Sequence, residues 1–343
     1  MTMRVIDFNF NLPKNLIAQK PATPRDSSRL LVYARKTKAL SHEKFHNLDK
    51  YLNKGDLLVF NNTKVFPARL LGKKETGGAM EVFLLEEKKK NVWQALVKGK
   101  NKKAGQKIIF DKVLIAVLSK QINDFEWLVK FEYKGDLRKK LEKIGQVPLP
   151  PYIKSSESQS NLKKQYQTIY AKKQGSVAAP TAGFHFTEQV LKKLKAKGVK
   201  FAYVTLHVGL GTFGPLRQAK VEDNKLHYEK VEINQTNFNK INKAKEAGRR
   251  VITVGTTTAR TLEGAMGAKA VKKAWSGELN TFIYPGYKFK IIDGLITNFH
   301  LPQSSLMMLV AALIGRTNIL NAYKTAVKEE YRFYSFGDAM LIL

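Results

Sequence analysis

Apolar positions along this chain change period part-way through. From Lys73 to about Val147 they fall in short β-type runs (MEVFLLE, NVWQALVK, QKIIF, VLIAVLS, FEWLVKFEY), separated by Gly- and Lys-rich turns such as ETGGA and KGKNKKAGQ. Runs of this length and spacing predict the strands of a small barrel or sandwich. FPARLLG marks one end of the module and VPLPPYI the other, where Pro148, Pro150 and Pro151 forbid regular structure.

After residue 160 helices and strands alternate. Thr187 is placed to cap TEQVLKKLKAKG, whose Val190, Leu191 and Leu194 share a helical face, and Gly198 closes the helix before the strand KFAYVTLHV. The unit recurs: Phe238, Ile241 and Ala244 form a stripe, Gly248 ends it, and RRVITVG follows as a strand. In FKIIDGLITNF, Asp-Gly between two apolar-rich runs predicts a hairpin. A buried helix from Ser305 and an amphipathic one near Asn321 to Glu330 complete this part. Residues 1 to 65 supply two more strands, RLLVYAR and DLLVFNN, with HEKFHNLDKYL expected as a helix between them. The expected fold is therefore α/β: a discontinuous mixed α/β domain, residues 1–68 and 148–343, interrupted by an inserted small β-barrel, 69–147.

Composition narrows the partners. Sixty Lys and Arg against 28 Asp and Glu give a net charge of +32. Such an imbalance opposes compaction and favours a polyanionic partner, nucleic acid ahead of membrane, because no Lys-rich helix carries the aromatic and Leu face of an interfacial anchor. A Lys-rich habit of the source organism is the plain alternative. The N-terminal MTMRVIDFNFNLPKN lacks the apolar core of a secretory signal, and LMMLVAALI (306–314) is half the length of a membrane span, so a cytoplasmic location is expected. Cysteine is absent, which removes disulfides, thiolate metal sites and a thiol nucleophile.

Six stretches could carry chemistry. VGLGTFGP contains Gly209, Gly211 and Gly214 in a GxGxxG spacing after a strand, but Pro215 follows and no apolar helical stripe succeeds it, so a dinucleotide fingerprint is disfavoured. What remains is a loop, with Thr212 and Phe213, where backbone can approach a ligand. Glu229, twenty residues after Gly209, lies near the start of the next strand. The others are Lys-poor patches at predicted strand ends: RDSSR, FNNTK, AAPTAGFHFT, VGTTTART and NFHLPQSS. The amides and hydroxyls of Thr256, Thr257 and Thr258 could meet a carboxylate or phosphate, or merely cap a helix; Ser304 or Ser305 could cap the helix beyond His300. A lone histidine is more often structural than catalytic, yet His185, His207, His227 and His300 all fall in these patches or in LHYE. No metal-ligand spacing, GxSxG elbow or Walker sequence is present.

Taken in order, RDSSRLLV, LLVFNNTKVFPARL, VPLPPYI, YQTIYAKKQGSVAAPTAGFHFT, VTLHVGLGTFGP, LHYE, TVGTTTARTLE, NFHLPQSSLMMLVAALIG and YRFYSFGDAM resemble the S-adenosylmethionine:tRNA ribosyltransferase-isomerase family of queuosine synthesis. The resemblance runs from Asp7 to the C-terminus and is weakest in the 73–147 module; Leu226 of LHYE stands where the family pattern has Met. It implies an α/β catalytic domain with an inserted β-barrel. It also implies transfer and rearrangement of the ribosyl part of S-adenosylmethionine onto 7-aminomethyl-7-deazaguanine at the wobble position of tRNA, giving epoxyqueuosine and releasing adenine and methionine. S-adenosylmethionine is then a substrate, with no metal or other cofactor expected, tRNA is the partner, and the chain is expected to be a monomer without membrane association. The reaction calls for a base, an acid for the leaving adenine, and donors for the methionine carboxylate. His185 and His207 are the candidate base and acid in either order, with His300 and Glu229 in reserve, and Arg260 with the Thr256–Thr258 amides holds the carboxylate. Arg25, Asp26, Arg29, Asn61, Asn62, Thr181, Gly183, Phe184, Gly209, Gly211, Thr212, Phe213, His227, Gly255, Asn298, Ser304, Ser305 and Asp338 belong to matching motifs and are expected in the site or its walls; for Arg29 and Asp338 an interior salt bridge between the discontinuous halves is the alternative. Three other readings remain: an RNA-binding protein without catalysis, a dinucleotide-dependent dehydrogenase, and a zinc-dependent tRNA base-exchange enzyme.

Overall fold

The computed structural model describes residues 3–111, 114–209, 216–267 and 273–343. In chain order the body begins with β1 (Arg29–Tyr33), β2 (Leu40–Lys44), β3 (Leu57–Asn61) and the short β4 (Thr63–Val65). The insert follows, with β5 (Arg69–Lys74), β6 (Ala79–Lys89), β7 (Val92–Lys98), β8 (Lys107–Asp111), β9 (Leu114–Gln121), β10 (Glu126–Tyr133) and helix α1 (Leu137–Ile144). The body resumes with α2 (Gln159–Gln165), β11 (Lys173–Ser176), α3 (Glu188–Ala196), β12 (Lys200–Leu206), β13 (Glu229–Ile233), α4 (Gln235–Glu246), β14 (Val251–Val254) and α5 (Thr256–Leu262). It ends with β15 (Trp275–Leu279), β16 (Gly294–Asn298), α6 (Ser305–Ile314), α7 (Arg316–Lys328) and β17 (Ala339–Ile342).

Nine of these strands form one mixed sheet, ordered β15-β13-β12-β3-β14-β16-β17-β1-β2. β12, β3, β14 and β16 run parallel, while β13 and β17 run against them. Both faces are covered, which is why the central strands are apolar at nearly every position. On β3, Leu57 and Val59 point to the side packed by α4 to α7, and Leu58 and Phe60 to the side packed by α3 and the 3-10 turn at 45–51. β5 to β10 close into a barrel filled by Leu70, Val82, Leu84, Trp127, Val129 and Phe131, with Leu137 and Leu141 of α1 packed against it. Among the described residues no single helix is long and apolar enough to cross a membrane.

The structure departs from the sequence reading at two elements. HEKFHNLDKYL is not one helix: its first residues complete β2, paired to β1 with Leu31 opposite His42, and Phe45–Tyr51 form a 3-10 turn. FKIIDGLITNF is not a hairpin, since only its second half is a strand. The amides of Lys290, Ile291 and Ile292 that a ladder would use instead donate to the buried Glu263 carboxylate at 2.9–3.0 Å. Asp293 is held by Val251 N and Lys245. A charged acceptor outcompetes a neutral carbonyl for those amides. In addition, FPARLLG is more than a boundary, because Arg69–Lys74 is the first barrel strand.

Candidate active site

The sheet topology brings every motif patch to one edge. β12, β3, β14 and β16 end there, and β1, β13 and β17 begin there. In open α/β sheets ligands bind beyond the carboxyl ends of such strands. β12 returns as the antiparallel β13 with no helix between them among the described residues, so GxGxxG does not open a βαβ crossover. Gly211, Thr212 and Phe213 lie outside the described residues.

A cleft of about 1140 Å³ opens at this edge between the body and the barrel. His207, Val208, Gly209 and residues 216–230 line it from the body, and Phe66, Leu85, Glu86, Trp93, Gln94, Leu96 and Glu126 from the linker and barrel side. Carboxylates (Glu86, Glu87, Glu126, Glu142, Asp223, Glu229, Glu278) outnumber cations (Lys88, Arg138, Arg217, Lys225, Lys230) in the lining, the reverse of the chain as a whole.

His207 follows β12. Its Nδ1 lies 2.8 Å from Thr63 Oγ1, whose own hydrogen is directed to the Lys173 carbonyl at 3.4 Å. The tautomer in which Nδ1 donates to that oxygen leaves a lone pair on Nε2, and Nε2 has no hydrogen-bond partner among the described residues. Gly175 seats the ring: its φ is +154°, and a Cβ there would lie 2.7 Å from His207 Cε1. Partial burial lowers the His207 pKa, with the Glu232 charge opposing, so the ring is neutral near pH 7. His227 also lines the cleft and is exposed.

Glu229 opens β13 at the cleft floor, paired with Arg260 at 2.7 Å with both side chains buried. Glu229 Oε1 accepts from Gly209 N at 3.4 Å, and Arg260 Nε donates to Thr281 O. Arg260 thus acts through Glu229 and does not itself line the cleft. Asn61 brackets the ends of β3 and β12, accepting from Leu206 N and Thr63 N and donating to Leu206 O and Thr257 Oγ1. Asn62 accepts from Thr205 Oγ1 at 2.7 Å. Gly255, at φ +89°, turns the chain into α5 beside Ala182; Thr256, Thr257 and Thr258 are buried, and Thr258 Oγ1 donates to Val254 O.

A second group of motif residues packs farther along the same edge, outside the cleft lining. His185 is buried against Phe45; its Nε2 accepts from Asn298 Nδ2 at 3.2 Å, and its Nδ1 hydrogen goes to Ser28 Oγ at 2.8 Å. The Asn298 orientation is fixed by Thr181, which donates to Oδ1, and by the Tyr334 carbonyl, which accepts from Nδ2. Burial pushes the His185 pKa down to about 4. Gly183 leaves room for the Tyr170 hydroxyl, and Phe184 packs on Phe336 beneath the Arg25 guanidinium. Arg25 donates to three backbone carbonyls of 164–167, and Asp26 accepts from Thr187 Oγ1. Asp338 accepts from the Arg29 and Arg332 amides and pairs with Arg332, while the Arg29 guanidinium covers Tyr331, so the chain's two ends are tied together here. His300 is buried with Nε2 against Thr297 Oγ1, its pKa lowered to about 3 by burial. Ser304 caps α6 and Ser305 is buried in its first turn. Sequence reasoning missed Thr63 and Gly175, although both stand in quoted motifs, and all the barrel residues of the cleft, where simple strand alternation offered no signal.

Comparison with known proteins places this geometry in context. A family model described as queuosine biosynthesis protein matches residues 5–342. The chain is 50% identical to an S-adenosylmethionine:tRNA ribosyltransferase-isomerase from Halothermothrix orenii, covering 99% of this chain and 100% of that one. It is 51% identical to one of the same name from Clostridioides difficile over 99% and 100% of the two chains. A solved structure of S-adenosylmethionine tRNA ribosyltransferase from Thermotoga maritima is similar at a TM-score of 0.58 and 37% identity, covering 98% of this chain and all of that one.

Proposed function

This chain belongs to the queuosine biosynthesis protein family and is a transferase-isomerase, and from that premise we propose that it moves the ribosyl part of S-adenosylmethionine onto 7-aminomethyl-7-deazaguanine at the tRNA wobble position, forming epoxyqueuosine. The observation that carries the site assignment is His207, an imidazole in the cleft lining that is seated on Gly175 and hydrogen-bonded through Nδ1 to Thr63. The sulfonium acidifies the adjacent ribose carbon, and His207 Nε2 removes that proton. Adenine departs with a proton, a role assigned to His227, an exposed imidazole in the lining. The substrate amine attacks the opened sugar and loses a proton, and methionine leaves as a neutral thioether, the C–S bonding pair cancelling the sulfonium charge.

The carboxylate-rich lining supports this reading, because sulfonium and aminomethyl groups both bring positive charge into the cleft. His185 and His300, spent on interior partners, become positioning residues. Arg260 holds Glu229 rather than the methionine carboxylate, and the cleft cations Arg217 and Lys225 take up that role. No metal enters the sequence of steps.

Mixing the protein with S-adenosylmethionine and tRNA bearing the aminomethyl base, with unmodified tRNA as control, tests the reaction. Equal release of adenine and methionine only with the modified tRNA is expected. Binding of tRNA without either product would replace the enzyme reading with that of a binding protein.

A further inference from the structure

Tyr228 is an aromatic side chain left in the open. It is 67% exposed, yet it lines the cleft one residue before the buried Glu229. Exposing a ring of that size forfeits the burial an aromatic ordinarily gains, unless a ligand covers it. Its backbone is held on both sides. Glu229 is fixed by Arg260 at 2.7 Å. Four residues earlier, the buried Asn224 accepts from the amides of Arg217 and Gln218 at 2.9 and 3.0 Å and donates to the carbonyls of Gln218 and Lys220 at 3.1 and 2.7 Å. The backbone that carries the ring is therefore anchored on both sides of Tyr228. Arg217 and Lys225 stand in the same lining, and Leu85, Leu96 and Trp93 form apolar parts of the barrel wall. An exposed aromatic face among separated cations is what a single-stranded nucleotide needs, its base stacked and its phosphates neutralised.

We propose that Tyr228 is the platform on which a nucleobase of the RNA substrate stacks as the anticodon loop enters the cleft. This rests on the tRNA-modifying function proposed above and adds the residue that reads an unstacked base. Phe125, also 67% exposed but outside the cleft lining, is the matched control.

The test uses an anticodon stem–loop RNA carrying 2-aminopurine beside the wobble position, whose fluorescence falls when it stacks on an aromatic ring. Wild type and Tyr228→Phe should quench it equally. Tyr228→Leu should lose the quench and bind the RNA roughly ten- to a hundredfold more weakly, with S-adenosylmethionine affinity unchanged. Phe125→Leu should match wild type. Undiminished quenching and affinity in Tyr228→Leu, or equal losses in Phe125→Leu, would overturn the assignment. If wild type releases no adenine from S-adenosylmethionine with full-length modified tRNA, the function falls; if it does while Tyr228→Leu behaves as wild type, only the stacking falls.

Discussion

Two histidines stand along one sheet edge in motifs of similar density, and their surroundings give them opposite uses. His185 has both ring nitrogens hydrogen-bonded inside the protein, to Ser28 and Asn298. His207 has one nitrogen bonded to Thr63, and the residue lines a cleft of about 1140 Å³. Both are held neutral by burial, but only one can exchange a proton with a ligand. Motif density thus marks the edge, and the hydrogen-bond inventory separates its working part from its frame.

The largest expected effect breaks the comparison at its active member. His207→Gln should lower single-turnover adenine release about 10²- to 10⁴-fold, the usual worth of a general base, while S-adenosylmethionine binding persists. Gly175→Ala should reproduce much of that loss with the imidazole itself retained, because the added carbon displaces the ring. In wild type the rate should hold through neutral pH and fall only on acidification below the ordinary histidine value of 6.5, since burial lowers the His207 pKa. Near wild-type rates in both variants would remove His207 from the chemistry.

Next is the pair beneath the cleft. Arg260→Met leaves the Glu229 carboxylate buried without its cation and should destabilise the fold by about 3–5 kcal/mol. Replacing both residues together, Arg260→Met with Glu229→Gln, should recover most of that loss in chemical denaturation. A double variant no more stable than the single one would show that the pair's value lies in contacts other than its mutual charge.

Much of this was legible in the sequence, for reasons that also mark the limit. Strands buried on both faces read as apolar runs, caps such as Thr187 and Ser304 read as hydroxyls before apolar stripes, and the barrel read as alternation. The hairpin expected at Asp293-Gly294 failed because its amides are claimed by Glu263, a partner distant in sequence that no local pattern encodes. The same holds for the site: residue type and motif pointed to His185 and His207 equally. Only the fold shows that Ser28, Asn298 and Thr181 close around the first while Thr63 and Gly175 expose the second. The barrel wall of the cleft was invisible because Glu86, Gln94 and Glu126 are unremarkable outward positions on alternating strands.

The frame histidine yields a smaller, pH-coded effect. Its pKa is about 4 in the fold against 6.5 unperturbed, so below pH 6.5 the unfolded chain binds a proton that the folded chain refuses. Stability should therefore decline as pH falls from 6.5 to about 4, by up to roughly 3 kcal/mol from this group. Below that window it contributes no further change. His185→Gln, uncharged throughout, should reduce the decline in urea melts, with buried His300 carrying a comparable share of what remains, while leaving the pH dependence of adenine release in its shape. A profile with unchanged slope would mean that His185 does not carry the proton linkage.

The smallest effect concerns how the barrel is held against the body. Lys230 of β13 reaches Glu86 of β6 at 2.6 Å across the cleft wall. Glu86 is raised by partial burial but pulled further down by hydrogen bonds to Lys230 and Lys88, leaving its pKa below the ordinary value. A carboxylate so depressed lends stability above its unfolded pKa and loses it as acid protonates it. Because Lys230 is half exposed, solvent screens the pair, and Lys230→Met should cost no more than about 1 kcal/mol. The loss should shrink as salt is raised. If Lys230→Met instead lowered S-adenosylmethionine affinity severalfold at unchanged stability, Lys230 would belong with the ligand-facing cations Arg217 and Lys225, and the cleft rather than the domain contact would be what it serves.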